Sequence, residues 1–202
     1  MKMLISYLYC NLGGVTSVIK QRLPSLLKNG WEIDTAFMED NGGKNDLLAS
    51  GVNKVYIFGS DFKNGVSHLL TTQKYDLHVI IDSPSLLSIL DKNRIPKTVF
   101  EVHTSIESTI RRYPIEHLQK TTAIIIPSEW LKNTLLDIFP SLNHNTFLVA
   151  PNVINKKTFS LTGETFDIPR TMLWVGKFIP LKNWLEAIEI GGAFLELNAD
   201  WH

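Results

Sequence analysis

Short apolar runs recur along the chain, and most are followed by a stretch whose apolar positions fall three and four residues apart. The runs are KMLISYLY at 2–9, WEIDTAF at 31–37, VNKVYIF at 52–58, LHVII at 77–81, TVFEV at 98–102, AIII at 123–126 and TFLV at 146–149. Runs of this length, rich in β-branched and aromatic residues, read as strands buried on both faces. The helical period appears over 15–28, closed by Asn29 and Gly30, then over 66–72, 84–90, 106–118 and the segment after Ser128. Pro84 suits a first helical turn, where its missing amide has no partner to lose. Ser128 suits a cap, and Trp130, Leu131, Leu135 and Ile138 form the apolar stripe behind it. Strand and helix alternating in this way predict an α/β fold, a parallel sheet covered by helices.

The alternation stops at residue 150. Residues 151–169 mix Pro, Gly, Asn, Ser and Thr without a period and read as a linker. A strand pattern restarts at 170–175, a loop with Pro180 follows, and Asn183 stands where a cap belongs for a helix carrying Leu185, Ile188 and Leu195. One βα unit cannot bury both faces of its strand. The expected plan is therefore a domain over 1–150, a linker over 151–169, and over 170–202 the first unit of a second α/β domain that is truncated.

Twenty basic and twenty acidic residues cancel, which removes the electrostatic case for a nucleic-acid partner. Cys10 is the single cysteine and reads as a buried structural thiol. No window approaches a membrane span, and the N-terminus shows no cleavage pattern, so the expectation is a soluble, cytoplasmic protein.

Three places carry candidate chemistry. Gly13 and Gly14 lie between the first strand and a helix, where free amides near Val15 and Thr16 can donate to a phosphate. The pair is neither the spaced GxGxxG fingerprint nor a GxxxxGK[ST] loop, which counts against a nicotinamide dehydrogenase and an NTPase. Taken alone, a plain turn explains it equally well. Lys177 and Lys182 flank a loop after a strand and can set two ammonium groups against a diphosphate, although lysines in such loops more often only face solvent. His103 leaves a buried strand at its carboxyl edge, either to contact a substrate or as a satisfied structural histidine, flanked by Glu101 and Thr104, with Ser105 as a cap for the next helix. Asp82 ends another strand at the same edge, either supporting a pocket or capping the helix at Pro84 together with Ser83. No His, Cys and Asp spacing suggests a metal site.

Five features in order carry a family resemblance: the Gly13-Gly14 loop, His103, PSEWLKNTL at 127–135, VAPNVIN at 149–155 and MLWVGKFIPLKNW at 172–184. Together they resemble the N-terminal half, plus the first unit of the C-terminal half, of a GT-B glycosyltransferase of the large retaining family 4. The resemblance implies a Rossmann-like first domain that holds an acceptor and a second domain that holds a nucleotide-sugar donor. A hexose would pass with retention to a sugar, polysaccharide or lipid-linked acceptor, without cofactor or metal. It assigns Gly13, Gly14 and Val15 to the loop near the donor phosphate and His103 to the donor sugar. Lys177 and Lys182 would stabilise the departing diphosphate, where negative charge grows as the glycosidic bond breaks. Lys177 stands where the family usually has arginine, which loses the bidentate fork. The glutamate pair that family members carry far beyond this basic loop has no counterpart here. The chain itself is thus expected to bind donor weakly at most and to lack efficient transfer.

A noncatalytic sugar- or partner-binding domain is the alternative. A different Rossmann-domain enzyme, such as an epimerase, leaves 172–184 unexplained. Neutral net charge leaves peripheral association with a membrane-linked acceptor open, and an incomplete second domain leaves a homodimer open.

Overall fold

The computed structural model describes residues 1–91, 96–154, 173–176, 178 and 180–198. They divide into two units, Met1–Asn155 and Lys156–His202. The first unit alternates as the sequence pattern requires. Its elements are β1 (Lys2–Asn11), α1 (Gly14–Lys28), β2 (Glu32–Asn41), α2 (Lys44–Ala49), β3 (Lys54–Ile57), α3 (Phe62–Thr72), β4 (Leu77–Ile81), β5 (Lys97–Glu101), α4 (Glu107–Ile110), α5 (Ile115–Leu118), β6 (Ala123–Ile126), α6 (Glu129–Ile138) and β7 (Phe147–Val149). The seven strands pair in parallel in the order β3-β2-β1-β4-β5-β6-β7, a Rossmann-like α/β sheet.

Crossovers between parallel strands are right-handed, so reversing direction across the sheet moves the connecting helix to the other face. The path runs outward from β1 to β3, then returns across β1 to β4 and beyond. Ile19 and Leu23 of α1 and Leu47 of α2 accordingly pack on Met3, Ile5, Ile33, Phe37, Val79 and Ile81. Val66, Leu69 and Leu70 of α3 and Leu131 and Leu135 of α6 pack on Leu4, Ala36, Ile80, Phe100 and Ile124. The split follows the period of two along each strand, with Met3 and Ile5 on one face and Leu4 on the other. Full burial of side chains such as Leu4 and Phe37 contributes roughly 1.5–3 kcal/mol each. On the α1 face a groove of about 270 Å³ lies beside α1, lined by Ile19, Arg22, Val79, Val99, Glu101 and Ile125.

Two buried polar groupings brace the sheet. At its amino-terminal edge the fully buried Asp34 accepts from Tyr75 Oη at 2.7 Å and Asn53 Nδ2 at 2.7 Å, with Lys2 Nζ at 3.1 Å. In mid-sheet Ser6 Oγ and His78 Nε2 share a hydrogen bond of 2.9 Å.

Several elements depart from the sequence pattern. β1 and β2 run past the expected 2–9 and 31–37, because they pair with each other as far as Asn11 and Asn41. Asp40 Oδ1 then accepts from the amides of Gly42, Gly43 and Lys44, turning the chain into α2, which the apolar period alone does not announce. The helical pattern of 106–118 divides into α4 and α5, since Pro114 supplies no amide. Pro84–Asp91 is a 3-10 segment, tightened by bonds such as Leu86 N–H to the Ser83 carbonyl. Trp130 is 62 % exposed, because the buried stripe of α6 runs through Leu131 and Leu135 and leaves its neighbour outside.

In the second unit α7 (Trp184–Leu197) has no buried residue. Of the expected strand over 170–175, the described residues 173–175 form no strand, and among the described residues none pairs with them. Asn183 precedes α7 as expected but has left-handed backbone, φ 47°, and its side chain makes no capping bond. The rings of Trp174, Phe178 and Trp184 cluster, with centroids 5.6 and 5.5 Å apart in succession.

Candidate functional site

Open parallel sheets offer ligands a crevice outside the carboxyl ends of their strands, where neighbouring connections diverge to opposite faces. In this sheet that point lies between β1 and β4. Gly13 and Gly14 follow β1, Asp82 follows β4 and His103 lies two residues past β5, so all four stand at one edge.

The β1 side presents the amino terminus of α1. Gly13 is its cap residue, and a Cβ there would lie 2.5 Å from Asn11 Oδ1, which instead accepts from the Gly13 amide at 2.8 Å. A side chain at Gly14 would meet only open space. Gly13 is therefore needed to shape the turn, whereas Gly14 leaves the approach clear. The first-turn amides, from Gly14 through Val15 to Thr16, have no intrahelical acceptor, and no side chain caps them. Val15 itself packs partly against the core. Thr16 Oγ1 is buried, and among the described residues it has no hydrogen-bond partner. A helix start with free amides attracts anions, through both the amides and the helix dipole.

The β4 and β5 side holds His103 by its backbone amide and by its ring. Asp82 Oδ1 accepts from the backbone amides of His103 at 2.9 Å and Thr104 at 3.3 Å. Neither Asp82 nor Ser83 caps the segment after Pro84; Ser83 Oγ donates to the Ile81 carbonyl. Thr104 Oγ1, rather than Ser105, accepts the Ile106 amide at the next turn. Asp82 has φ 40°, a left-handed conformation that aspartate tolerates better than most residues. Burial raises its pKa, and the two amide bonds offset part of that rise. The His103 ring meets Glu101 Oε1 at 2.7 Å through Nε2. Glu101 is 1 % exposed and is paired again by Arg22 Nη1 of α1, at 2.7 Å to Oε1 and 2.8 Å to Oε2. Burial alone would raise the Glu101 carboxyl, but the hydrogen bonds from His103 and Arg22 outweigh it and hold it below the usual range.

Arg22 is the functional-looking residue that sequence reasoning missed. Its signal was a cation at a stripe position, since Ile19, Arg22, Leu23 and Leu26 fall on one helical face.

Of the two lysines singled out, Lys182 is exposed and ends a 3-10 turn, Pro180–Lys182, while Lys177 lies outside the described residues. Cys10 is fully buried, and burial followed by the charges of Asp40 and Asp46 pushes its pKa to about 11, which suits a structural thiol. Among the described residues no cluster of His, Cys, Asp or Glu is arranged to hold a metal ion, and no helix is long and apolar enough to cross a membrane.

Among solved structures, the chain is similar to Anabaena Alr3699/HepE, determined in complex with UDP and glucose. Identity is 15 % and the TM-score 0.59, over 78 % of this chain and 46 % of that one. Weaker likenesses are to a ugt transferase from Siraitia grosvenorii in complex with UDP and to the E. coli heptosyltransferase WaaC with ADP. The first has 10 % identity and TM-score 0.49 over 77 % of this chain and 52 % of that one. The second has 14 % identity and TM-score 0.34 over 75 % and 50 %. The chain thus spans about half the length of the solved structures it matches. No family model and no curated protein matches it. What the first likeness shows is the fold.

Proposed function

We propose that this chain is the acceptor-side half, with the opening of the donor-side half, of a GT-B glycosyltransferase resembling the retaining family 4. In the proposed reaction a hexose leaves a nucleoside diphosphate and joins a hydroxyl of a saccharide or lipid-linked acceptor. The acceptor oxygen forms the new bond to the anomeric carbon, while the bond to the diphosphate oxygen breaks with its electron pair and the departing diphosphate takes up the acceptor's proton. Supporting this is one juxtaposition: a bare helix start behind Gly13 and Gly14, and a histidine held by two carboxylates, at the same edge of a sheet whose fold is shared with a protein solved with UDP and glucose. The first-turn amides and the unpaired Thr16 hydroxyl suit a phosphate oxygen. His103 suits the sugar, and Lys177 with Lys182 suits the leaving diphosphate.

The experiment is amide chemical-shift mapping of the chain with UDP, ADP and glucose, beside a transfer assay with several nucleotide sugars. Nucleoside diphosphates are expected to move Gly13 to Thr16 and the His103 loop, with transfer slow or nil. A spectrum unmoved by every nucleotide and sugar at millimolar concentration would end the proposal. A noncatalytic sugar-binding domain is the second reading, favoured by the lack of any buried residue on α7. Sugar binding without any nucleotide response would select it.

A further inference from the structure

The proton on the His103 ring can be located from the groups around it. Glu101 is almost fully buried, and a carboxylate that is ionised only accepts hydrogen bonds. Nε2 of His103, 2.7 Å from Oε1, must then carry the hydrogen between them. Arg22 contacts both oxygens of the same carboxylate, so a guanidinium matches its negative charge from the other side. The charged groups set around the ring are Glu101 from β5, Arg22 from α1 and Asp82 from the end of β4, and Asp82 is engaged by the backbone amides of His103 and Thr104. No described residue hydrogen-bonds to Nδ1. That nitrogen is the ring's one uncommitted polar atom.

We propose that Arg22 and Glu101 are positioning residues that hold His103 as the Nε2–H tautomer, so that Nδ1 presents a lone pair to a substrate hydroxyl rather than an N–H to a phosphate oxygen. This deepens the glycosyl-transfer reading and rests on it for the identity of the substrate. The division of recognition follows from donor and acceptor chemistry. Phosphate oxygens only accept, and they suit the amides of Gly14 to Thr16. A sugar hydroxyl donates as well as accepts, and it suits a bare imidazole nitrogen. Arg22 lies on the same helix as those amides, so one ion pair fixes α1 and the end of β5 to each other.

The test is imidazole nitrogen NMR on the ligand-free, full 202-residue chain at pH 7.5, with His103 assigned by the loss of its signals in His103→Gln. Wild type is expected to show a protonated Nε2, slow to exchange with water, and an unprotonated Nδ1. Glu101→Ala is expected to lose the protected Nε2–H signal. In Arg22→Met the carboxylate loses the guanidinium that holds it in place, and the Nε2–H signal is expected to exchange with water faster than in wild type. A wild-type ring with a bare Nε2, or with two protons, overturns the proposal whether or not Glu101→Ala folds. An Arg22→Met ring identical to wild type removes Arg22 from it. Since the spectrum is read without ligand, it stands apart from the transfer assay, and each can fail alone.

Discussion

Acidification from pH 7 to pH 5 is expected to lower the stability of the first unit by about 2 kcal/mol through His78 alone. The residue is 1 % exposed, among the strands, with Ser6 as its hydrogen-bond partner. Burial disfavours the imidazolium and pushes its pKa down to about 3, from an ordinary histidine value of about 6.5. Above 6.5 both the folded and unfolded chains keep this ring neutral, and it adds no pH dependence. Below that value the unfolded chain takes up a proton that the native state refuses until about pH 3. Each pH unit within the window therefore removes about 1.4 kcal/mol, which gives about 2 kcal/mol at pH 5. Urea unfolding at pH 7, 6 and 5 measures it, with His78→Gln as the control, because the carboxamide can still bond Ser6 but does not titrate. Carboxylates that titrate in both proteins cancel in the difference. The gap between wild type and variant should shift by about 2 kcal/mol in the variant's favour on going to pH 5. A gap constant across the series would mean that His78 is protonated or solvated in the native state, and the burial argument would fall.

Other outcomes follow from particular contacts. Tyr75→Phe removes a hydroxyl donor from the buried Asp34 carboxylate and should lower stability by about 1.5–3 kcal/mol in urea unfolding. Gly13→Ala sets a Cβ against Asn11 Oδ1 and should lose about 1–2 kcal/mol, whereas Gly14→Ala should stay within about 0.5 kcal/mol, both read by thermal melts. If Gly14→Ala also weakens nucleoside diphosphate binding, the open space beside it is a ligand approach. In a form of the protein with measurable transfer, Lys182→Ala is expected to reduce turnover on the order of 100-fold, the scale for losing one preorganised anion-stabilising group. Turnover within twofold of wild type would remove Lys182 from the leaving-group site.

The sheet was legible because its signal is local: all seven strands stand where runs of β-branched residues stand, and Ser128 caps α6 as its position before an apolar stripe suggests. Less legible was whatever depends on a distant partner. Glu39 and Asp40 look like loop residues, yet β2 continues through them because β1 is there to pair with. Asp34 reads as an anomaly inside WEIDTAF until Lys2, Asn53 and Tyr75 converge on it from other strands and loops. His103, Gly13 and Asp82 were visible as residues leaving strands at one edge. The Arg22 to Glu101 pair spans 79 positions, and no local pattern gives its partner.

The Asp34 knot and the Gly13 loop lie at opposite ends of β1, roughly 30 Å apart for a ten-residue strand. Substitutions so far apart, with no partner in common, combine nearly additively. Selection can therefore remodel the edge that carries Gly13 and His103 while the opposite edge carries the thermal margin that risky changes consume. For the experimenter the same geometry suggests an order of work: strengthen the Lys2, Asp34 and Tyr75 end first, then screen loop libraries at residues 11–14 and 103–106 in that background.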